Sequence, residues 1–359
     1  MIVLPIQIGY RKQREAIIVT TLSTPLPLGG SGTLPSPVAP ARTYNRARRI
    51  IFNVSIGIFA LLLALVAGAH AYAAYLLAHP PVAPLYSNPK QAIKLDYAEV
   101  TFSSIDGDTL VDGWWIPAAD SSKTVVLSHG YGTNREETWV PMYKLASLLN
   151  EHSYNVLMFD YGFASATYPT PATGGILESG QLLGAIEYAR SQGSDELVVW
   201  GFSMGAGTAL QAALRDAPVD AMILDSTFLP DEDTLYYNLR QHVALPKYPS
   251  VSLVNWFFPF ISGVSLSDIP SRQAQTTDYG IPILLIHGTA DDKAPTYLAE
   301  NIAASQTNEL SGLWIVQDAI HEMIFQTHKE EYIARTTEFL NSVDTLVAMK
   351  LAAASTEAA

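Results

Sequence analysis

The hydrophobic and polar positions of this chain form two regions with different patterns. Residues 50–78 include no charged residue, and the centre of this stretch, residues 56–66, is strongly apolar. About 20 helical residues cross the hydrocarbon core of a bilayer, so the stretch is long enough to span one. From about Lys94 onward, short apolar runs alternate with helix-compatible segments. This second pattern predicts a sheet with helices on both faces.

Eight apolar runs in the second region predict β-strands. The first two, residues 94–102 and 109–116, flank a turn at residues 105–108 and predict an antiparallel hairpin. The last six are short and continuously apolar, as in buried parallel strands: residues 124–128, 155–160, 196–200, 221–225, 281–287 and 313–317. The pattern therefore predicts an α/β domain over residues 94–346, with its ligand site beyond the carboxyl ends of the strands.

Charges flank the apolar stretch unequally. Four arginines precede it directly: Arg42, Arg46, Arg48 and Arg49. The first charge after it is Lys90. The positive-inside rule predicts that residues 1–49 are a cytoplasmic tail, that residues 50–78 are an uncleaved transmembrane signal anchor in the cell membrane, and that the catalytic domain is extracytoplasmic. A cleavable signal peptide and a buried soluble helix are the alternatives, although signal peptides usually have only ~7 to 15 apolar residues.

Composition narrows the possible chemistry. The chain has 359 residues, of which 48% are hydrophobic, enough for one large catalytic domain. Its net charge is -13, but residues 1–49 hold seven Lys or Arg against one acid, which leaves -19 on the remainder. Such an acidic body argues against binding nucleic acid. The absence of cysteine excludes a thiol nucleophile, a thiolate metal site and disulfides.

Segments outside the two patterned regions predict irregular structure. Residues 22–41 are rich in Pro, Gly, Ser and Thr, which favours a largely disordered tail over residues 1–49. The proline-rich beginning of residues 79–93 predicts an extended linker. The alanine-rich end of the chain predicts a disordered tail over residues 347–359.

A Gly-x-Ser-x-Gly motif contains the candidate nucleophile, Ser203. It follows the apolar run at residues 196–200 and leads into a helix-compatible stretch, so it lies at a strand-to-helix corner. Such a corner strains the backbone of the serine, and the neighbouring Gly201 and Gly205 leave room for the chain to close. The alternative is a glycine-rich turn without catalytic function.

The candidate general base is His321. It follows the predicted strand at residues 313–317 in a short polar loop, which places it at the same edge of the sheet as Ser203. His287 ends another predicted strand and is the competing candidate, since one sequence does not measure reach to the serine hydroxyl.

The candidate acid is Asp291, which follows the predicted strand at residues 281–287. A carboxylate here would hold the histidine in the right tautomer and stabilise its charged form. Ser, then acid, then His is the order of the α/β-hydrolase arrangement. Asp225, at the end of the preceding strand, is the alternative acid, and Asp292 is either another alternative or a helix cap.

An oxyanion formed at Ser203 needs preorganised N–H donors. The N–H of Met204, one residue after the serine, is the first candidate. The second is the N–H of Tyr131, in the glycine-rich turn that directly follows the predicted strand at residues 124–128. A turn that needs glycine only for its backbone shape is the alternative.

The motifs together resemble those of α/β-hydrolase fold enzymes, more narrowly the membrane-anchored, single-domain serine hydrolases with one N-terminal span. The similar segments are residues 127–132, 158–163, 201–205, 225–226, 287–295 and 319–322. In that family the acid lies three residues after the Gly of His-Gly and four before a Pro, which is Asp291 here. The family usually continues Asp-Tyr with Arg-Gly, whereas this chain reads Asp160-Tyr161-Gly162-Phe163. The missing arginine puts a structural ion pair at that turn in doubt.

Residues 226–280 form an insertion that predicts a small helical cap. Its aromatic residues either line an acyl-binding or leaving-group pocket or pack the cap onto the core. The expected function is a serine hydrolase that cleaves an ester, thioester or small amide of a small acyl substrate, without metal or organic cofactor. A peptidase or acyltransferase on the same triad, and a non-catalytic membrane-tethered interaction protein, are the alternatives.

Overall fold

The structure is a computed structural model that describes residues 42–242 and 244–357. Residues 1–41, Val243, Ala358 and Ala359 lie outside the described residues, and so does most of the predicted cytoplasmic tail. The contacts divide the chain between Ile58 and Phe59, inside the first helix. The sheet and everything that surrounds it belong to the unit that begins at Phe59.

One eight-stranded sheet organises this unit. Its strands are β1 Ala98–Ser103, β2 Leu110–Ile116, β3 Lys123–Ser128, β4 Asn155–Phe159, β5 Glu196–Phe202, β6 Ala221–Asp225, β7 Ile283–Gly288 and β8 Gly312–Val316. The spatial order is β1-β2-β4-β3-β5-β6-β7-β8. β1 and β2 pair antiparallel, β2 also pairs antiparallel with β4, and the six strands from β3 to β8 are parallel. The predicted mostly parallel sheet is confirmed.

Helices cover both faces of this sheet. On one face lie α3 Met142–Glu151, α10 Ile324–Thr327 and α11 Lys329–Glu357; on the other lie α4 Ile176–Ser191, α5 Met204–Ala213 and α9 Tyr297–Ser305. Alternation along β5 explains the two layers, because successive side chains of a strand point to opposite faces. Trp200 and Phe202 join the core on the α11 side, whereas Leu197 and Val199 join the core on the α5 side.

The predicted cap is helical. Between β6 and β7 the chain forms α6 Glu232–His242, α7 Lys247–Ser262, a 3-10 helix Leu266–Asp268 and α8 Ser271–Thr276. Phe258 of α7 and Leu266 are buried in a small apolar cluster that also contains Ala74 and Ala78 of the first helix. The cap and the end of that helix therefore share a core separate from the two layers that flank the sheet.

The first helix, α1, covers Arg42–Ala78. Among the described residues it is the one helix long and apolar enough by itself to cross a membrane, over Asn45–Ala78. Two consecutive cap segments, Lys247–Ser262 and Leu266–Thr276, are long and apolar enough to cross a membrane only when they are taken together. They are bent by 93° relative to each other. A signal sequence can have the same length and apolar character as α1. The helix is therefore compatible with a single-pass anchor, and its length and composition do not establish the topology.

Three boundaries differ from the sequence predictions. Residues 42–49 belong to α1 instead of the disordered tail, and residues 347–357 continue α11 instead of leaving it. Extending an existing helix costs little compared with starting one, and the alanines near the end of α11 favour extension. The predicted linker ends in a short helix, α2 Pro89–Ile93, which Asn88 caps. Lys94 ends this helix with a left-handed backbone, which excludes that residue from the predicted first strand, and β1 starts at Ala98.

Candidate active site

Ser203 occupies the sharp corner between β5 and α5. Its backbone has φ 50° and ψ -115°, a strained conformation for a residue other than glycine. The flanking glycines allow the sharp turn, and they are also needed because neighbouring backbone atoms leave no space for a side chain. A Cβ on Gly205 would lie 2.1 Å from the carbonyl oxygen of Ser128, and one on Gly201 would lie 2.6 Å from Cα of Ala206. The motif thus lets α5 start directly against β3.

The structure brings His321 and Asp291 to this corner. Nε2 of His321 lies 2.8 Å from Oγ of Ser203, and Nδ1 lies 2.7 Å from Oδ2 of Asp291. Both residues lie in loops that leave the carboxyl ends of β7 and β8. A hydrogen bond of 3.0 Å from the N–H of Ala290 to the carbonyl of Ala319 holds these two loops together. Parallel strands therefore explain why residues 118 positions apart in the chain meet.

Asp291 is held firmly in place. Its side chain is buried, and its Oδ1 accepts the N–H groups of Lys293 at 2.8 Å and Ala294 at 2.7 Å. Oδ2 thereby remains available to His321. The cap secures the same loop, because the hydroxyl of Tyr237 in α6 donates to the Asp291 carbonyl at 2.9 Å. Asn238 donates likewise to the carbonyl of Lys293 at 2.8 Å.

The competing candidates have other partners. Nε2 of His287 lies 3.0 Å from the carbonyl of Ala294, and the ring sits behind Asp291, 3.6 Å from its Oδ2. Asp225 accepts the hydroxyls of Ser226 at 2.9 Å and Tyr332 at 2.7 Å. Asp292 lies beside Lys293, 3.3 Å from its ammonium group. Within the described residues, none of His287, Asp225 and Asp292 forms a hydrogen bond to His321, whereas Asp291 does.

Burial and charge act against each other on His321. Burial by itself would lower the pKa of His321, but the hydrogen bond to Asp291 and the negative charges of Glu322, Asp291 and Asp225 together raise it. Asp225 behaves differently, because burial raises its pKa to about 7 despite the two hydroxyl donors. The site therefore favours the protonated imidazole that forms when the serine loses its proton.

Glu322 and Glu137 form a buried carboxyl pair beside the site that the sequence did not predict. A Cβ on Gly130 would lie 2.8 Å from Oε1 of Glu322 and 3.0 Å from Oε1 of Glu137. Burial raises the pKa of both carboxyls, and for Glu137 the charge of Glu322 raises it further. Oε2 of Glu322 accepts the indole N–H of Trp139 at 2.5 Å and lies 3.9 Å from Nε2 of His321. The sequence signal that could have indicated Glu322 as part of the site was its position directly after His321.

The loop after β3 carries Tyr131. The backbone N–H groups of Tyr131 and Met204 have no hydrogen-bond acceptor among the described residues. His129 braces the loop from behind, since its Nε2 accepts the N–H of Tyr161 at 3.0 Å. Burial lowers the pKa of His129 to about 4, so the ring is neutral and is able to accept this bond.

Asp160 retains an ion pair even though the arginine expected near it is missing. Arg135 supplies the guanidinium instead, at 2.8 Å from Oδ2, and its backbone N–H donates to Oδ1, also at 2.8 Å. Both side chains are buried. The doubt about a structural ion pair at this turn is thereby resolved by a residue from a different loop.

A pocket of about 470 Å³ opens beside Ser203 and His321. Its apolar walls come from the cap, from the end of α1 and from the loop of His321, and include Leu77, Phe228, Leu235, Phe258, Leu266 and Ile320. The cap aromatics serve both purposes considered above. Phe228 and Phe258 line the pocket, whereas Tyr237 fastens the cap to the loop of Asp291.

A family model for the alpha/beta hydrolase fold matches residues 123–262. The esterase Pf2001 of Pyrococcus furiosus superposes with a TM-score of 0.58 at 25% identity, over 73% of this chain and 98% of the esterase. The uncharacterised protein YfhR of Salmonella typhimurium is 31% identical over 225 residues, which cover 57% of this chain and 68% of YfhR.

The chain belongs to the α/β-hydrolase family. YfhR of Escherichia coli, 29% identical, covers 68% of this α/β-hydrolase and is itself covered over 80% of its length. The likeness to an esterase supports a hydrolase. Activity on an ester is a property of that esterase, and for this α/β-hydrolase it is a proposal.

Proposed function

We propose that this α/β-hydrolase cleaves carboxylic esters through an acyl-enzyme intermediate, with thioesters or small amides as related substrates. The observation that carries the proposal is the continuous chain of hydrogen bonds from Ser203 through His321 to Asp291, at 2.8 and 2.7 Å. This is the arrangement of a nucleophile, its general base and the group that orients the base.

In the proposed first half-reaction, Oγ of Ser203 attacks the carbonyl carbon as its proton moves to Nε2 of His321. Asp291 keeps Nδ1 protonated and stabilises the resulting imidazolium. The C–O bond to the leaving alcohol then breaks, and His321 returns the proton to the alcohol oxygen. In the second half-reaction His321 takes a proton from water, the hydroxide oxygen attacks the acyl carbon, and the acid is released as Ser203 recovers its proton.

The oxyanion of each tetrahedral intermediate needs donors that are already in place. We assign this role to the backbone N–H groups of Tyr131 and Met204, which have no other partner among the described residues. Met204 is the first residue of α5, so the positive end of the helix dipole supports the same charge. Removal of one such donor typically costs about two to three orders of magnitude in rate.

We further propose that α1 is an uncleaved membrane anchor and that the hydrolase domain lies outside the cytoplasm. Support comes from the uncharged residues 50–78 of α1, whose most apolar 18-residue segment has a mean hydropathy of 2.7, and from the four arginines that precede these residues. The substrate would then be met at the outer side of the membrane.

Labelling with a fluorophosphonate probe tests the catalytic proposal. The full-length protein in detergent should be labelled, and the Ser203→Ala variant should not. Hydrolysis of p-nitrophenyl acetate should disappear in the same variant. Ser194→Ala is the matched control, since Ser194 is also buried but lies just before β5, where its hydroxyl bonds Thr124 instead of His321. Equal labelling of the wild type and Ser203→Ala would disprove the mechanism.

A further inference from the structure

We propose that the cap helix α7 lies in the membrane surface beside α1, and that the pocket takes acyl-chain amphiphiles directly from the bilayer. The inference rests on the proposed hydrolase function and on the proposed anchor, and it adds the source and class of the substrate. Four observations support it.

The end of α1 is a wall of the catalytic pocket. Ala74 and Ala78 are fully buried in the small apolar cluster that contains Phe258 and Leu266 of the cap, and Leu77 lines the pocket itself. The backbone also joins the end of α1 to the loop before α4, which lines the same pocket, because the N–H of Ala172 donates to the carbonyl of Ala78 at 2.7 Å. The pocket therefore lies at the last turns of the anchor.

The length of the anchor places these turns in the membrane interface. A hydrocarbon core of about 30 Å corresponds to roughly 20 helical residues at about 1.5 Å each. The uncharged residues 50–78 extend about 42 Å along this helix, which matches the ~40–45 Å of a bilayer with both headgroup layers. With Ile50 at the inner surface, Ala74 lies where the outer headgroup layer begins and Ala78 lies at its outer edge. The cap, which packs on these residues, would be at the same depth.

The outer face of α7 is suited to that position. Trp256 is 60% exposed and Phe260 76% exposed, and their rings contact each other edge to face at 5.6 Å between centroids. Phe258, on the other side of the helix, is buried against the anchor end. Between Lys247 and Asp268 the cap carries no charged residue, so entry into the interface would desolvate no charge. Tryptophan is enriched at this depth in membrane proteins.

The pocket chemistry agrees with an amphiphile from the membrane. Leu77, Phe258 and Leu266 give apolar surface to the same pocket that Ser203 and His321 line. An acyl chain could thus leave the bilayer and enter the pocket along apolar side chains, with its ester bond reaching Ser203. A single-chain ester such as a monoacylglycerol fits a pocket of about 470 Å³ better than a two-chain lipid.

Depth-dependent fluorescence tests the docking surface without relying on activity. The chain has no cysteine, so Phe260→Cys introduces a single labelling site. With an environment-sensitive fluorophore in phosphatidylcholine nanodiscs, this position should be quenched by spin-labelled lipids. Asp195→Cys is the control, because Asp195 is exposed and lies at the amino end of β5, at the sheet edge opposite Ser203. Equal quenching at the two sites would overturn the proposal.

Two substrates then test the supply from the membrane. The double variant Trp256→Ser/Phe260→Ser should lose at least fivefold in kcat/KM on 1-oleoylglycerol in vesicles and retain its rate on p-nitrophenyl acetate. Equal effects on both substrates would overturn the inference. Failure of the wild type to bind the fluorophosphonate would instead reject the hydrolase function, and carbonate extraction of the full chain from membranes would reject the anchor. The three failures are therefore distinguishable.

Discussion

Two buried aspartates lie close to His321, and their hydrogen bonds separate their roles. Asp291 directs one oxygen to the imidazole and the other to two backbone N–H groups. The two carboxylate oxygens of Asp225 accept the hydroxyls of Ser226 and Tyr332. The hydroxyl oxygen of Ser226 in turn accepts the N–H of Glu322. We infer that Asp225 shapes the loop that carries His321, whereas Asp291 orients the ring itself.

Substitution of each aspartate by asparagine should distinguish these roles. Asp291→Asn should lower kcat by about four orders of magnitude, because the histidine would be held in the wrong tautomer. Asp225→Asn should reduce kcat by less than tenfold, because Asp225 accepts the hydroxyls of Ser226 and Tyr332 and has no hydrogen bond to His321 among the described residues. Steady-state hydrolysis of p-nitrophenyl acetate measures both, with thermal midpoints as a check on folding. An equal loss in the two variants would refute the assignment of Asp291.

The position of α5 depends on how closely this helix approaches its neighbours. Gly205 faces the carbonyl of Ser128, and a Cβ on Gly207, one turn into the helix, would lie 2.1 Å from the carbonyl oxygen of Phe228. Both contacts are with backbone, which cannot rotate away as a side chain would. The helix that carries the nucleophile is therefore packed directly between the loop after β3 and the start of the cap insertion.

Gly207→Ala should destabilise the protein, although alanine normally stabilises a helix relative to glycine by about 1 kcal/mol. The added methyl group would push α5 away from Phe228, at a cost of about 1–3 kcal/mol typical of overpacking. Gly68→Ala in α1 is the control, since no atom lies within 4 Å of its Cβ position. Thermal unfolding in detergent gives the comparison. An unchanged or higher midpoint for Gly207→Ala would contradict the packing argument.

Charge and hydrophobicity divide the chain into parts that suit different sides of a membrane. Residues 1–49 are basic, residues 50–78 are uncharged, and the remainder carries -19. An anchored hydrolase with this distribution would keep its acidic catalytic domain away from the basic tail. The proposed orientation also places the end of α1, and the pocket it lines, at the outer membrane surface.

Protease accessibility tests this orientation. With tags at both ends of the full chain, protease added to intact cells should remove the C-terminal tag and spare the N-terminal tag. Before protease treatment, both tags should be on one band of full-length mass, because an uncleaved anchor keeps the tail. A C-terminal tag that stays protected would reverse the topology, whereas a shortened product without the N-terminal tag would identify a cleaved signal peptide.

The sequence determined the architecture because its decisive signals are local. Apolar runs specified eight strands within a few residues of their observed bounds, and the glycines around Ser203 marked the corner after β5. The uncharged stretch before Ala78 indicated a helix of membrane-spanning length. Helix ends were harder to predict, as the extensions of α1 and α11 illustrate, since propagation depends on the helix already formed.

Tertiary structure alone decided which side chains meet. The chain order suggested Asp291 and His321, but only the parallel pairing of β7 with β8 brings their loops together and leaves Asp225 with other partners. Arg135, Glu137 and Leu77 carry no local signal, because each acts through residues distant in the chain. Local periodicity reports how a segment folds, whereas the pairing of buried charges and the walls of a pocket depend on where folded segments pack.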